Sequence, residues 1–328
     1  GSTIIDGAGN TSVKVTGKYA TIANLTVKGA TGSDEYGIHV NSSGGGLNAT
    51  GVRLHDNYNG LYFDNKGWGS RIADSTIDSN SDSGLDVQGS SGIRIENCTI
   101  SNNGKHGIYL SATPDALVYG NHIHNNSNGG IYASSSGSGF GIHHNQIVDN
   151  GHAGIRLFSV LESIVTYNEV RDNNGPGIYT SARDSEFLHN NVTGNSYGIL
   201  FWDSCCSGVY GINNLAAYNY IAENTHGIGI TPWTGGSNRL LANTVLNSAE
   251  FGIYITHGSN HRIENSTISG SGLYDLRLTS GETTIINSTF SSISISTDAD
   301  LRERELFSLR ILEENSDPFV DFEIAVED

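Results

Sequence analysis

The chain has 328 residues, with 34 acidic against 17 basic side chains and a formal net charge of −17. Such a field repels nucleic acid and anionic membranes, and no apolar run reaches the roughly 18 residues of a membrane span. Gly is abundant (42) and Pro scarce (4), yet Ile, Val and Leu recur throughout, which excludes collagen-like and disordered chains. No signal peptide is legible, and an opening "GSTIIDG" with no Met anywhere reads as a piece of a longer precursor, Gly1-Ser2 being a cloning scar. Three cysteines, Cys98, Cys205 and Cys206, make neither a disulfide framework nor a zinc-knuckle spacing. Asn-x-Ser/Thr sequons, among them Asn48, Asn97 and Asn191, fit a secreted surface weakly, because many arise by chance in an Asn/Ser/Thr-rich chain.

In chain order, one element recurs: a Gly, then Ile or Leu, any residue, and usually an apolar one. It runs "YGIHV" at 36, "NGLYF" at 59, "SGLDV" at 83, "HGIYL" at 106, "GGIYA" at 129, "AGIRL" at 153, "PGIYT" at 176, "YGILF" at 197, "HGIGI" at 226 and "FGIYI" at 251, with a degenerate "YDLRL" at 274. The spacing is 23 to 25 residues except for two steps, 21 and 29. A second run, "VYGNHI", "IHHNQI", "VTYNEV", lies between these elements, so each unit is expected to hold two short alternating strands and no helix. Two Asn columns share the period: Asn121, Asn145, Asn168, Asn190, Asn219 and Asn243, and Asn57, Asn80, Asn103, Asn126, Asn150, Asn173, Asn195 and Asn224. Units this short imply a coil of strands, each pairing with the next coil about 4.8 Å away. Stacked Asn at the corners then satisfy turn amides that no strand covers.

These residues resemble the right-handed parallel β-helix repeats of the pectate-lyase-like superfamily, over roughly residues 3 to 295. The fold implied is all-β, a right-handed single-stranded parallel β-helix of about 11–12 coils of 22–24 residues. Residues 1–295 form the helix domain, and 296–328, where the pattern stops, a C-terminal cap or the start of a following segment. The 29-residue unit carries its excess in "WDSCCSGVYGINNLAAYNY", read as a loop over a binding face.

Alternation places the residue after Gly-Ile outward. That column reads His39, Tyr62, Asp86, Tyr109, Tyr132, Arg156, Tyr179, Leu200, Gly229, Tyr254 and Arg277, and a parallel column includes Asp64, Gln88, Ser134, Phe158, Ser181 and Trp202. A line of Tyr on a flat sheet suits the apolar faces of sugar rings. It is equally the ladder that Tyr, a strand-favouring residue, forms for packing alone. Trp68, Trp202 and Trp233 all fall on or just after this strand, and Asp64, Asp203, Lys105, His106 and His152 sit nearby.

For the superfamily, the resemblance implies an extracellular or cell-surface protein acting on an acidic polysaccharide, with a periplasmic location also admitted. Lyase or epimerase chemistry requires a cation for the uronate, a base for the C5 proton and a proton donor to the leaving oxygen. Arg156, His106 or His152, and Tyr109 or Tyr132 fill those roles, with Asp86 as an acid. Tyr62, Asp64, Trp68, Lys105, Tyr179, Trp202, Asp203 and Trp233 are the substrate-binding candidates. Glycoside hydrolysis, which needs two carboxylates, stays open. So do a non-catalytic carbohydrate-binding or adhesion module and, third, a metal-handling protein. The superfamily's sharper signatures (Asn-Thr-Asp, Gly-His-Gly, Asp-Pro-His) are absent, so no known activity transfers residue by residue. No cofactor is required; a calcium ion is compatible with the acidic face. The i, i+2 pair His122 and His124 faces outward without an evident third metal ligand.

Overall fold

The structure, a computed structural model, describes residues 3–41, 45–65, 67–134, 137–202, 211–231, 236–296 and 298–304. Within them every regular element is a strand, wound into a solenoid of about 12 turns with three parallel sheets. The chain divides into two compact units, Gly1–Gly175 and Pro176–Asp328.

Each coil carries three strands rather than the two expected from sequence. The run "VYGNHI" breaks into Leu117–Tyr119 and His122–His124 because Gly120 turns the corner in the left-handed region, φ 64°. In the first unit, sheet I stacks Thr76–Asp78, Thr99–Ser101, His122–His124 and Gln146–Val148. Sheet II stacks the Gly-Ile strands, among them Asn59–Asp64, Leu85–Gln88, Ile108–Ser111, Ile131–Ser134 and Ile155–Phe158. Sheet III stacks Arg94–Glu96, Leu117–Tyr119 and Gly141–His143. The second unit repeats the pattern from Ile178–Thr180 onward. There Ala299–Arg304 pairs with Gly281–Ile286, so sheet III runs past residue 295, where the sequence period ends.

The core is the inward half of each strand. Ile100, Ile108, Leu110 and Val118 of one coil are fully buried over Ile123, Ile131, Ala133 and Ile142 of the next. Burying each such aliphatic side chain contributes about 1.5–3 kcal/mol. The Asn columns are buried corner ladders. Asn103 donates its side-chain amide to Asn126 Oδ1 at 2.8 Å and to the Ile77 carbonyl at 3.3 Å, while its backbone N–H donates to the same Oδ1 at 3.1 Å. The second column behaves alike, Asn121 donating to Asn145 Oδ1 at 2.9 Å. The motif Gly makes room for this ladder: a Cβ on Gly107 would lie 2.8 Å from the Gly130 carbonyl oxygen and 3.0 Å from Asn126 Nδ2.

Register follows the sequence columns. Tyr62 pairs with Asp86, Asp86 with Tyr109, Tyr109 with Tyr132 and Tyr132 with Arg156. Ser134 and Ser181, expected outside, are buried where their strands end and the chain bends toward the next corner.

Candidate functional site

A cleft of about 440 Å³ opens on sheet II of the first unit. The outward column contributes Tyr62, Asp86, Tyr109 and Tyr132, four residues on successive strands. Gln88 adds a residue of the neighbouring column, and the rest of the lining comes from the residues just ahead of each motif Gly: Asp34 and Tyr36, Tyr58 and Asn59, Asp82 and Ser83, Lys105 and His106. These turn residues repeat with the coil, since the Asp82 N–H donates to the Tyr58 carbonyl and the Lys105 N–H to the Asp82 carbonyl.

The aromatic rings fall into two groups on either side of Asp86. Tyr36 and Tyr62 stack at 4.3 Å with planes 16° apart. On the other side, Tyr109 and Tyr132 lie 5.4 Å apart, and the His106 ring sits 5.2 Å from Tyr132 and 5.9 Å from Tyr109. Arg156 is laid over the Tyr132 ring at 4.8 Å and near Phe158 at 5.5 Å, a cation–π arrangement at the cleft's edge.

The two central carboxyls have different surroundings. Asp82 accepts Lys105 Nζ at 2.5 Å, the Ser83 hydroxyl at 3.2 Å and the Tyr58 hydroxyl. Asp86 forms no ion pair among the described residues; Gln88 donates to it at 3.2 Å. Burial is the main reason that the Asp86 carboxyl is pushed up to about 6, against the lowering effect of Gln88. Burial also pulls His106 down to about 4, with Arg156 adding to the effect. The imidazole is therefore neutral at neutral pH, and its Nδ1 accepts the Gly129 N–H at 3.3 Å, which assigns its proton to Nε2. Such an arrangement suits proton transfer: a carboxyl that changes charge near working pH, in one cleft with a neutral imidazole N–H and several phenols.

Of the candidates read from sequence, Asp86, His106, Tyr109, Tyr132, Tyr62 and Lys105 meet in this cleft, with Arg156 beside it. His152 is lowered by burial first and then by Arg156, and it does not line the cleft. Asp64 faces the adjacent column opposite Gln88 and accepts from Asn65 Nδ2 at 3.0 Å. Trp68 packs edge-on to Tyr19 at 5.9 Å, covering Gly45, away from the cleft. Tyr179 and Trp202 contact each other at 5.7 Å in the second unit. Asp203, Trp233 and the Cys205-Cys206 loop lie outside the described residues. Sequence reading missed Asp34, Tyr36, Tyr58, Asn59, Asp82 and Ser83. The available signal was their position, one or two residues ahead of the motif Gly, or three for Asp34.

The histidines outside the cleft scatter. His122 and His124 lie with rings 4.3 Å apart on sheet I, opposite Gln146 and Val148. His144 stacks on Tyr167 at 5.1 Å, both in left-handed corner positions. Among the described residues no group of three His, Cys, Asp or Glu could hold a metal ion.

The family model described as a right handed beta helix region matches residues 1–146 and again 59–216. The chain belongs to the right-handed β-helix family. Among solved right-handed β-helices, it is similar to the A-module of mannuronan C-5 epimerase AlgE4 from Azotobacter vinelandii, at 14% identity and a TM-score of 0.50, covering 95% of this chain and 83% of that one. The periplasmic alginate epimerase AlgG gives 16% identity and a TM-score of 0.61 over 92% and 76%. The catalytic unit of a GH87 α-1,3-glucanase from Streptomyces thermodiastaticus gives 13% and 0.50 over 90% and 63%. No curated protein matches by sequence. At these identities the likeness establishes the β-helix fold.

Proposed function

We propose that this β-helix acts on a polysaccharide outside the cytoplasm, with the glycan lying along sheet II and Asp86 transferring the proton at the reacting sugar. The observation that carries this reading is the placement of Asp86. A half-buried carboxyl pushed up to about 6 interrupts a row of tyrosines and lines the same cleft as a neutral His106. Tyrosine faces offer apolar platforms to sugar rings, while the turn residues supply hydroxyl, amide and carboxylate partners for sugar hydroxyls. The reaction classes to test are elimination or epimerisation at C5 and hydrolysis, because the same fold carries alginate epimerases and an α-1,3-glucanase.

A panel of polysaccharides, followed for unsaturated product and for reducing ends, tests the proposal. Product from one polymer, lost in Asp86→Asn, supports it; no product from any polymer removes the catalytic part. A second reading, a non-catalytic carbohydrate-binding module, is favoured by one observation. Lys105 and Tyr58 are committed to Asp82, and His106 Nδ1 to Gly129, so Asp86 alone holds an unbridged charge among these groups. Retention of a glycan without product identifies that case.

A further inference from the structure

The cleft also constrains the charge of its ligand, given the polysaccharide reading above, on which this step rests. Asp86 is the one break in the phenol row. Tyr62 pairs with it on one side and Tyr109 on the other, each one strand spacing away, about 4.8 Å. The Tyr36–Tyr62 stack and the Tyr109–Tyr132 pair flank that gap. A carboxyl between phenol rings is the arrangement that receives an ammonium: direct Coulomb attraction from the carboxylate, cation–π attraction from the ring faces.

The charge inventory points the same way. Asp34, Asp82 and Asp86 line the cleft against one ammonium, Lys105, which is spent on Asp82 at 2.5 Å. Arg156 lies over Tyr132 at the edge, Asp64 stands in the neighbouring column, and Glu35 is engaged by Thr11. A uronate carboxylate entering beside Asp86 would therefore meet like charge from Asp34 and Asp82 in the same lining, whose one ammonium is already paired. We infer that the Asp86 gap selects a glycan bearing free ammonium groups, an amino-sugar chain, over neutral and uronic-acid chains.

Calorimetric titration of the protein at about pH 6.5, where the Asp86 carboxyl is mostly ionised, with three hexasaccharides tests this: β-1,4-linked glucosamine, its fully N-acetylated form, and mannuronate. The free amine is expected to bind at least about tenfold more tightly than the N-acetylated hexamer, and mannuronate most weakly. The preference should shrink as salt rises. Asp86→Asn should abolish it, and Asp34→Asn, at an exposed rim position with φ 62° that Asn accepts, should reduce it without affecting the fold. Equal or tighter binding of the N-acetylated hexamer, tightest binding of mannuronate, or an unchanged preference in both variants overturns the inference alone. Failure of all three to bind while a polymer of the panel is retained or turned over overturns this inference alone; no binding here and no retention on any polymer of the panel overturns the polysaccharide reading with it.

Discussion

Lys105 Nζ lies 2.5 Å from an Asp82 carboxylate oxygen, and this pair divides the labour between two carboxyls four residues apart. Asp82 is held by an ammonium and two hydroxyls, which fixes the turn ahead of the strand. Asp86 keeps one amide donor and pays for its burial with a raised affinity for protons. A carboxyl raised by burial in this way is the one suited to the proton transfer proposed above. Lys105 also holds Asp86 down by its charge. Lys105→Met is therefore expected to move Asp86 ionisation above pH 6 or so, read by carboxyl-resolved NMR titration. A downward move would contradict the assignment.

Asp86→Asn keeps the shape of the side chain and removes the transferable proton. On the substrate found in the panel, kcat is expected to fall about 100-fold or more, with KM changed far less. A loss confined to KM would make Asp86 a binding group.

Stability against pH separates Asp86 from His106. The folded Asp86 keeps its proton up to about pH 6, whereas its ordinary value is 3.8. Its ionisation thus costs more in the folded state, and stability falls as pH climbs from about 4 through 6, by at most about 3 kcal/mol. His106 works in the opposite sense. With a folded value near 4 against 6.5, the unfolded chain takes up the proton first, so stability falls as pH drops below about 6.5. The two slopes oppose each other in one window. Urea unfolding across pH 4 to 7 or so should show Asp86→Asn gaining stability with rising pH more steeply than the parent. His106→Gln should show the reverse.

The corner ladder predicts where the solenoid is least tolerant. Asn103→Ala removes the acceptor for two donors of Asn80 and the donor to Asn126 and Ile77, all buried. A loss of about 2–5 kcal/mol is expected. Asn128→Ala, at an exposed turn, should stay within about 0.5 kcal/mol. Equal effects in chemical denaturation would show that the ladder contributes little.

The fold was legible because a coil repeats its constraints. From Gly37 to Gly130 the motif Gly approaches a ladder Asn and the next Ile or Leu enters the core, so the outward column from His39 to Arg156 pairs in the register that the sequence implies. The third strand was hidden since three-residue strands joined at a left-handed corner, as at Gly120 or His144, carry too little alternation to separate. Half of the cleft was hidden for a related reason. Asp34, Tyr58 and Asp82 sit in turns, where alternation does not say which way a side chain points. Trp68 illustrates the converse: it follows the strand in sequence, yet the chain has already rounded the corner and the ring packs on Tyr19.

The central claim is that a glycan occupies the cleft between the two tyrosine pairs. Its most direct test is the retention of parent and Tyr62→Ala proteins on an immobilised panel of neutral, uronic-acid and amino-sugar polysaccharides. The account predicts that the parent is retained on at least one of them and that Tyr62→Ala, with an unchanged melting temperature, weakens retention about tenfold or more. Equal retention of the two proteins, or none on any polymer, would contradict it.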